Sequence, residues 1–181
     1  MRNISPAQPA IQDDVFIFLF FLYFYRINSK KKQGMRTLAN IIWHFPFLGF
    51  LSALGVFLVG GLFVITILGA PIGLGLIEYS KFLMAPFSKE MISKSDLNKK
   101  QNVLWKSYGF LISILYFPFG LVLTVITIVQ IVGMFVSIVG IPGAVILAKS
   151  LSTYFNPVNK VCVPGKVAEE IAVRKARSQV N

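Results

Sequence analysis

Two long apolar runs dominate the chain. From Thr37 to Ile77 there is no Lys, Arg, Asp or Glu in 41 consecutive residues, and from Ser107 to Ala148 there is none in 42. Both runs are rich in Leu, Ile, Val and Phe, the pattern of helices embedded in a membrane. A single helix of 41 residues would be about 60 Å long, about twice the ~30 Å hydrocarbon core of a bilayer, so each run must fold back or break. Small or polar residues at Gly60-Gly61 and from Gln130 to Gly133 are candidate turns. Further punctuation follows at Gly69-Ala70-Pro71 and Gly140-Ile141-Pro142, because proline lacks an amide proton and disfavours helix in the residue before it. Two arrangements fit this pattern. One is a pair of helical hairpins with four spans in all; the other is a long tilted span in each run, followed by a re-entrant half-helix that turns at Gly-x-Pro. The expected fold class is therefore all-α, a polytopic membrane protein of two tandem helical-hairpin repeats with about four transmembrane or re-entrant segments.

Composition agrees. Of 181 residues 55% are hydrophobic and only 14% charged, against about 25% charged in soluble domains, and mean hydropathy is +0.70. Intrinsic disorder and an ordinary soluble enzyme are excluded, and a single cysteine, Cys162, excludes an internal disulfide framework. Most of the basic residues behind the net charge of +11 cluster in three blocks that flank the apolar runs. These are Arg26, Lys30, Lys31, Lys32 and Arg36; Lys89, Lys94, Lys99, Lys100 and Lys106; and Lys160, Lys166, Arg174, Lys175 and Arg177. Such clusters mark cytoplasmic loops by the positive-inside rule and not a nucleic-acid surface, so no nucleic-acid partner is expected and both termini are placed in the cytoplasm. The partner implied is the lipid bilayer.

At an offset of 71 residues the chain resembles itself. Ile67, Gly69, Pro71, Leu76, Pro86 and Lys89 fall on Ile138, Gly140, Pro142, Leu147, Pro157 and Lys160, and Gly49 falls on Gly120. Two prolines and two glycines held in register point to a tandem duplication, with the copies sharing one orientation about an axis along the membrane normal. The expected organisation is an extension at 1–34, a first repeat at 35–94, a basic linker at 95–106, a second repeat at 107–163 and a cytoplasmic tail at 164–181.

Met35-Arg36-Thr37-Leu38-Ala39-Asn40-Ile41-Ile42-Trp43 resembles the start of the YccF family of bacterial inner membrane proteins. The segments Gly69-Ala70-Pro71-Ile72-Gly73 and Ala85-Pro86-Phe87-Ser88-Lys89 are similar to its Gly-Ile-Pro-x-Gly and Pro-Phe-Gly-Lys motifs. The second copy resembles it through Ile138-Val139-Gly140-Ile141-Pro142-Gly143 and Asn156-Pro157-Val158-Asn159-Lys160. Ala70 replaces the usual isoleucine, Ser88 and Asn159 stand where glycine is usual, and the second copy lacks an Asn-Ile-x-Trp start. The resemblance implies the inner membrane as location and implies no reaction.

Val15 to Tyr25 is apolar and aromatic but as a helix spans only about 16 Å. It reads either as an interfacial anchor beside the basic cluster or as part of an extension upstream of a start at Met35. Gly165 to Gln179 reads as a short amphipathic helix. Chemistry is sparse: His44 is the only histidine, and no catalytic, cofactor-binding or metal site is expected. Gly55, Gly60, Gly61, Gly69, Gly73 and Gly75 suit close helix packing. Glu78 has Lys81 one turn on and falls on Lys149 under the offset, which suggests a Glu78 to Lys149 contact between repeats or snorkelling of both to the headgroups. His44, Thr124, Thr127 and Gln130 are polar groups that either bond neighbouring backbone or line a narrow path, in which His44 would sense pH. The candidate residues are thus Gly69, Pro71, Gly73, Pro86, Gly140, Pro142, Gly143, Pro157, Glu78, Lys149 and His44. Their expected role is in a non-enzymatic component that forms a homo-oligomer or binds a membrane-protein partner; the alternative is a small transporter or channel with its pathway at the Gly-x-Pro breaks.

Overall fold

The computed structural model describes residues 32–45, 47–97 and 102–180, so the aromatic stretch near the N-terminus lies outside the described residues. Residues 37–181 form one compact unit; of the unit 1–36, only the beginning of the first helix is described. The elements in chain order are α1 (Lys32–Phe45), α2 (Gly49–Ile65), α3 (Ala70–Leu83), β1 (Lys89–Ser93), α4 (Val103–Phe135), α5 (Ile141–Phe155), β2 (Lys160–Pro164) and α6 (Gly165–Val180). Single 3-10 turns cover Lys94–Leu97 and Ile138–Gly140.

Both apolar runs break at Gly-x-Pro and not at the earlier candidate turns. Helix α2 passes through Gly60 and Gly61, and α4 passes through Gln130 to Gly133. An interior glycine costs a helix only about 1 kcal/mol. Pro71 and Pro142, by contrast, occupy the first turn of α3 and α5, where a fixed φ is an advantage. The break before α3 is closed locally: the Thr66 hydroxyl donates to the Phe63 carbonyl at 2.7 Å and accepts from the Gly69 amide at 3.2 Å.

The described residues are mostly helical, and the all-α expectation needs correction only by one short ribbon. Lys89–Ser93 and Lys160–Pro164 pair as a two-stranded antiparallel ribbon, Lys89 opposite Pro164 and Ser93 opposite Lys160. Five-residue strands flanked by charge give too short a pattern to separate from a loop in sequence. Helix α4 also starts at Val103, so the expected linker at 95–106 is partly helical.

Helix α3 packs on α2 and on both strands, α5 packs on α4 and β1, and α6 packs on both strands. Met91 and Cys162 turn to one face of the ribbon, against the core of Trp43, Ala53, Tyr79, Phe82, Leu83 and Ile146. Alternation turns Val163 to the opposite face, and both Val163 and Ala168 of α6 are buried. The result is a stack: α6 and the ribbon, then α3 with α5, then α2 with α4. Polarity falls through the stack, because α2 and α4 expose apolar side chains along their length, Phe50, Leu54, Leu58, Leu62, Leu111, Leu115, Val122 and Val129 among them.

Glycines set the closest approaches. A Cβ on Gly73 would lie 2.5 Å from the Gly60 carbonyl oxygen of α2, and one on Gly75 would lie 1.9 Å from the Pro157 carbonyl oxygen of the other half. Gly55 and Gly61 meet nothing within 4 Å, so the packing role expected of them is not theirs. Gly73→Ala and Gly75→Ala are expected to destabilise the fold by about 1–3 kcal/mol each, since backbone has to move. Gly61→Ala is expected to be neutral or to stabilise by up to about 1 kcal/mol. Thermal unfolding of detergent-solubilised protein, followed by tryptophan fluorescence, checks the contrast.

Candidate functional site

The charged candidates Glu78 and Lys149 and the prolines Pro86 and Pro157 lie where the two hairpins meet. Helices α3 and α5 begin 71 residues apart, as do β1 and β2, and the ribbon pairs Met91 with Cys162, which are also 71 apart. The hydrogen bonds beyond its two ends match in the same way: the Gly165 amide donates to the Ser88 carbonyl at 2.9 Å, and the Lys94 amide donates to the Asn159 carbonyl at 2.8 Å. A local twofold axis therefore passes through the Met91 and Cys162 pair. Tyr79 of α3 and Ser150 of α5 also meet on it, and the Tyr79 hydroxyl donates to the Tyr154 hydroxyl at 3.0 Å. Around the axis Pro86 and Pro157 are fully buried.

Glu78 and Lys149 flank this axis and do not pair with one another, which corrects the contact expected between them. The Glu78 carboxylate binds Lys81 one turn along α3, and its other oxygen accepts from the Cys162 amide at 3.0 Å. Lys149 donates to the Pro86 carbonyl at 2.8 Å and the Lys89 carbonyl at 3.2 Å, lies 3.6 Å from the Glu90 carboxylate and stands over the Phe82 ring. Equivalent residues touch only on a twofold axis; one residue before Tyr79 and Ser150, about 100° around each helix, they diverge. Each instead reaches across to the strand of the other half, Glu78 to β2 and Lys149 to β1. Burial lowers the Lys160 ammonium from its usual pKa, opposed by Asp96, and raises the Cys162 thiol above its usual value, with Lys89 opposing and Glu78 adding to the rise.

A second set of contacts ties α1 to the end of α3. The Trp43 indole donates to the Leu83 carbonyl at 2.9 Å, and Asn40 accepts from the Phe87 amide at 3.0 Å and donates to the Ser88 hydroxyl at 2.9 Å. His44 Nε2 lies 2.9 Å from the Met84 carbonyl. A carbonyl only accepts, so Nε2 carries the proton; Nδ1 is buried without a partner. Helix α1 leaves α2 at 75°, with Leu48 at φ 51° in the bend. The positions 71 residues on are Leu111, Ile114 and Leu115, all exposed, and there α4 runs unbroken through Pro118. The asymmetry follows from side chains: three donors or acceptors dock α1, and three aliphatics leave α4 free to extend.

Gly69, Pro71, Gly140, Pro142 and Gly143 sit at the hairpin tips, away from Glu78 and Lys149. Gly140 approaches the Met134 backbone, and Gly143 approaches the Met134 and Phe47 side chains. His44, Thr124, Thr127 and Gln130 have separate surroundings: Thr127 bonds its own helix at Leu123, and Gln130 is exposed. Among the described residues no three of His, Cys, Asp and Glu come together as metal ligands. Sequence reasoning missed the docking roles of Asn40 and Trp43 and the tip contact of Tyr108, whose hydroxyl lies 3.2 Å from both the Ile67 and Leu68 carbonyls. The Asn-Ile-x-Trp motif carried the signal for the first two; nothing marked Tyr108.

The raised thiol makes a pH prediction. Because Cys162 holds its proton above the pH at which an ordinary thiol ionises, its alkylation rate is expected to level off at a higher pH than that of a free thiol. Glu78→Gln removes one cause of the rise and is expected to move that plateau downwards, while Lys149→Met, on the far side of the axis, is not. Rates of iodoacetamide labelling from pH 7 to 11 check both.

No curated protein and no solved structure matches the chain. Residues 38–89 match the model of the YccF family, an inner membrane component domain, and the resemblance read from the sequence is thereby shown for that stretch of a membrane protein.

Proposed function

We propose that the chain is a non-enzymatic component of the bacterial inner membrane, built of two tandem copies of a hairpin unit, that assembles with further copies of itself. Its ribbon, α6 and both termini face the cytoplasm. The observation that carries this reading is the uncovered apolar surface of α2 and α4 beneath a small core: Phe57, Leu58, Leu62, Phe110, Leu111 and Phe119 are each about half exposed or more. Helices α2 and α4 leave their flanks as well as their outer faces uncovered, so contact between copies along the edges of this layer completes the packing and leaves the outer faces to lipid. The basic residues support the cytoplasmic placement, since Lys94, Lys166, Lys175 and Arg177 all belong to the ribbon side of the stack.

Light scattering of purified protein in detergent, with the detergent mass subtracted, is expected to give a single discrete oligomer, and lysine cross-linking in membranes the same size. A monomer in both would sink self-assembly and favour a different membrane protein as partner. Flux of small solutes or ions from vesicles holding the protein would overturn the reading in favour of a transporter or channel with its pathway at the Gly-x-Pro breaks.

A further inference from the structure

The positions of the hairpin tips determine how the apolar layer meets the bilayer. The tip before α3 touches α4 at Tyr108, and the tip before α5 touches it at Met134. These contacts are 26 residues apart on one uninterrupted helix, which places the tips about 39 Å from each other along α4. The hairpins run in opposite directions. Gly75 lies against Pro157, Tyr79 against Tyr154, and Phe82 beneath Lys149, so α3 and α5 are antiparallel. The local axis through Met91 and Cys162 lies midway between the tips, at the level where α4 presents Tyr116 to the Tyr154 carbonyl and Gly120 to that of Phe155.

Two orientations follow. With α4 upright across the bilayer, the ribbon would lie at mid-depth. Lys89, Glu90, Lys94, Asp96 and Lys160 would then stand at the centre of the hydrocarbon, where each lysine or aspartate costs about 2.5–3.5 kcal/mol. With the axis along the membrane normal, the ribbon and α6 stand in water, α3 and α5 lie at the boundary, and only α2 and α4 enter the acyl chains. Two layers of helices about 10 Å apart match the depth of one leaflet, roughly half of a ~30 Å core.

Local chemistry agrees with the second orientation. Lys106 projects about 200° around α4 from Leu104, towards the ribbon side, while Leu104 is 79% exposed. The breaks before α3 and α5 lie in the apolar layer, where freed carbonyls need donors, and the Tyr108 hydroxyl supplies one to Ile67 and Leu68.

We infer that the outer faces of α2 and α4 bind the acyl chains of a single leaflet, with the helices lying in the membrane plane, entered from the side that carries the ribbon. This rests on the membrane placement above and not on self-assembly. It replaces the four upright spans that the length of the apolar runs allowed with two re-entrant hairpins that never reach the far side.

A depth ladder along α4 tests it. Leu104, Leu111, Val122 and Val129 lie on one face of the helix and are all exposed. Each is replaced in turn by Cys in a Cys162→Ser background, nitroxide-labelled and reconstituted in phospholipid vesicles, and its depth is read from collisions with oxygen and with a water-soluble nickel chelate. The expected result is one common depth within about one helical turn, ~5 Å. An upright α4 would instead spread the four over about 37 Å, with shallow values at the ends, and that gradient would overturn the inference. Thr66→Cys and Ser137→Cys in the same background give a second readout at the tips. Neither is expected to react with an impermeant thiol reagent added outside intact cells, and outside labelling of either would equally overturn it. A monomer in detergent would leave both readouts unchanged, so failure of the assembly reading is distinguishable.

Discussion

The antiparallel pairing of β1 with β2 is the constraint from which the rest of the arrangement follows. Each hairpin ends in a strand of five residues, and among the described residues neither strand has a partner within its own half. Unpaired amides beside a membrane are costly, so the two halves satisfy each other. Once Met91 faces Cys162, the directions of α3 and α5 are set, and Gly75 of the first half comes to lie against the Pro157 backbone of the second. The crossing is reinforced at its flanks: the outer amide of β2 is bound by the Glu78 carboxylate, and the carbonyl of Lys89 by Lys149. These are charge-assisted hydrogen bonds at a half-buried seam, where they are stronger than surface ion pairs.

The two halves share a backbone plan and differ where side chains differ. Asn40, Trp43 and His44 have polar atoms aimed at the carbonyls, amide and hydroxyl that follow α3, and they hold α1 at a sharp angle to α2. Gly49 is part of the same device, since a Cβ there would enter the Trp43 ring. In the second half Leu111, Ile114 and Leu115 have nothing to donate, so the equivalent segment continues as helix and Tyr108 is carried to the tip of the first hairpin. The segments 71 residues apart are thus bent in one half and extended in the other. A proline does not decide between them, because α4 runs through Pro118 unbroken.

Much of this was legible in sequence, and the limits have physical causes. The offset of 71 anticipated the matching starts of α3 and α5, and Gly-x-Pro marked the breaks because proline acts locally. Glycine misled at Gly60-Gly61, where the requirement was for room between α2 and α3 and not for a turn. The ribbon was invisible because its register is a relation between two distant pentapeptides, neither with a periodicity of its own. Glu78 and Lys149 were correctly picked as charges near the seam, but pairing them assumed that equivalent positions meet, which a twofold axis permits only for residues lying on it.

The same axis separates two statements that hydropathy alone merges. Length and apolarity qualify α4 to cross a bilayer, yet these are properties of one helix, whereas orientation belongs to the assembly that carries it. Turning α4 upright would also turn the ribbon and α6 packed on its neighbours and carry their charges into hydrocarbon, where each lysine or aspartate costs about 2.5–3.5 kcal/mol. The layered fall in polarity, from α6 to α3 and α5 and then to α2 and α4, runs across the helices and not along them. A bilayer presents its own gradient along its normal, and the two gradients coincide only when the helices lie in its plane.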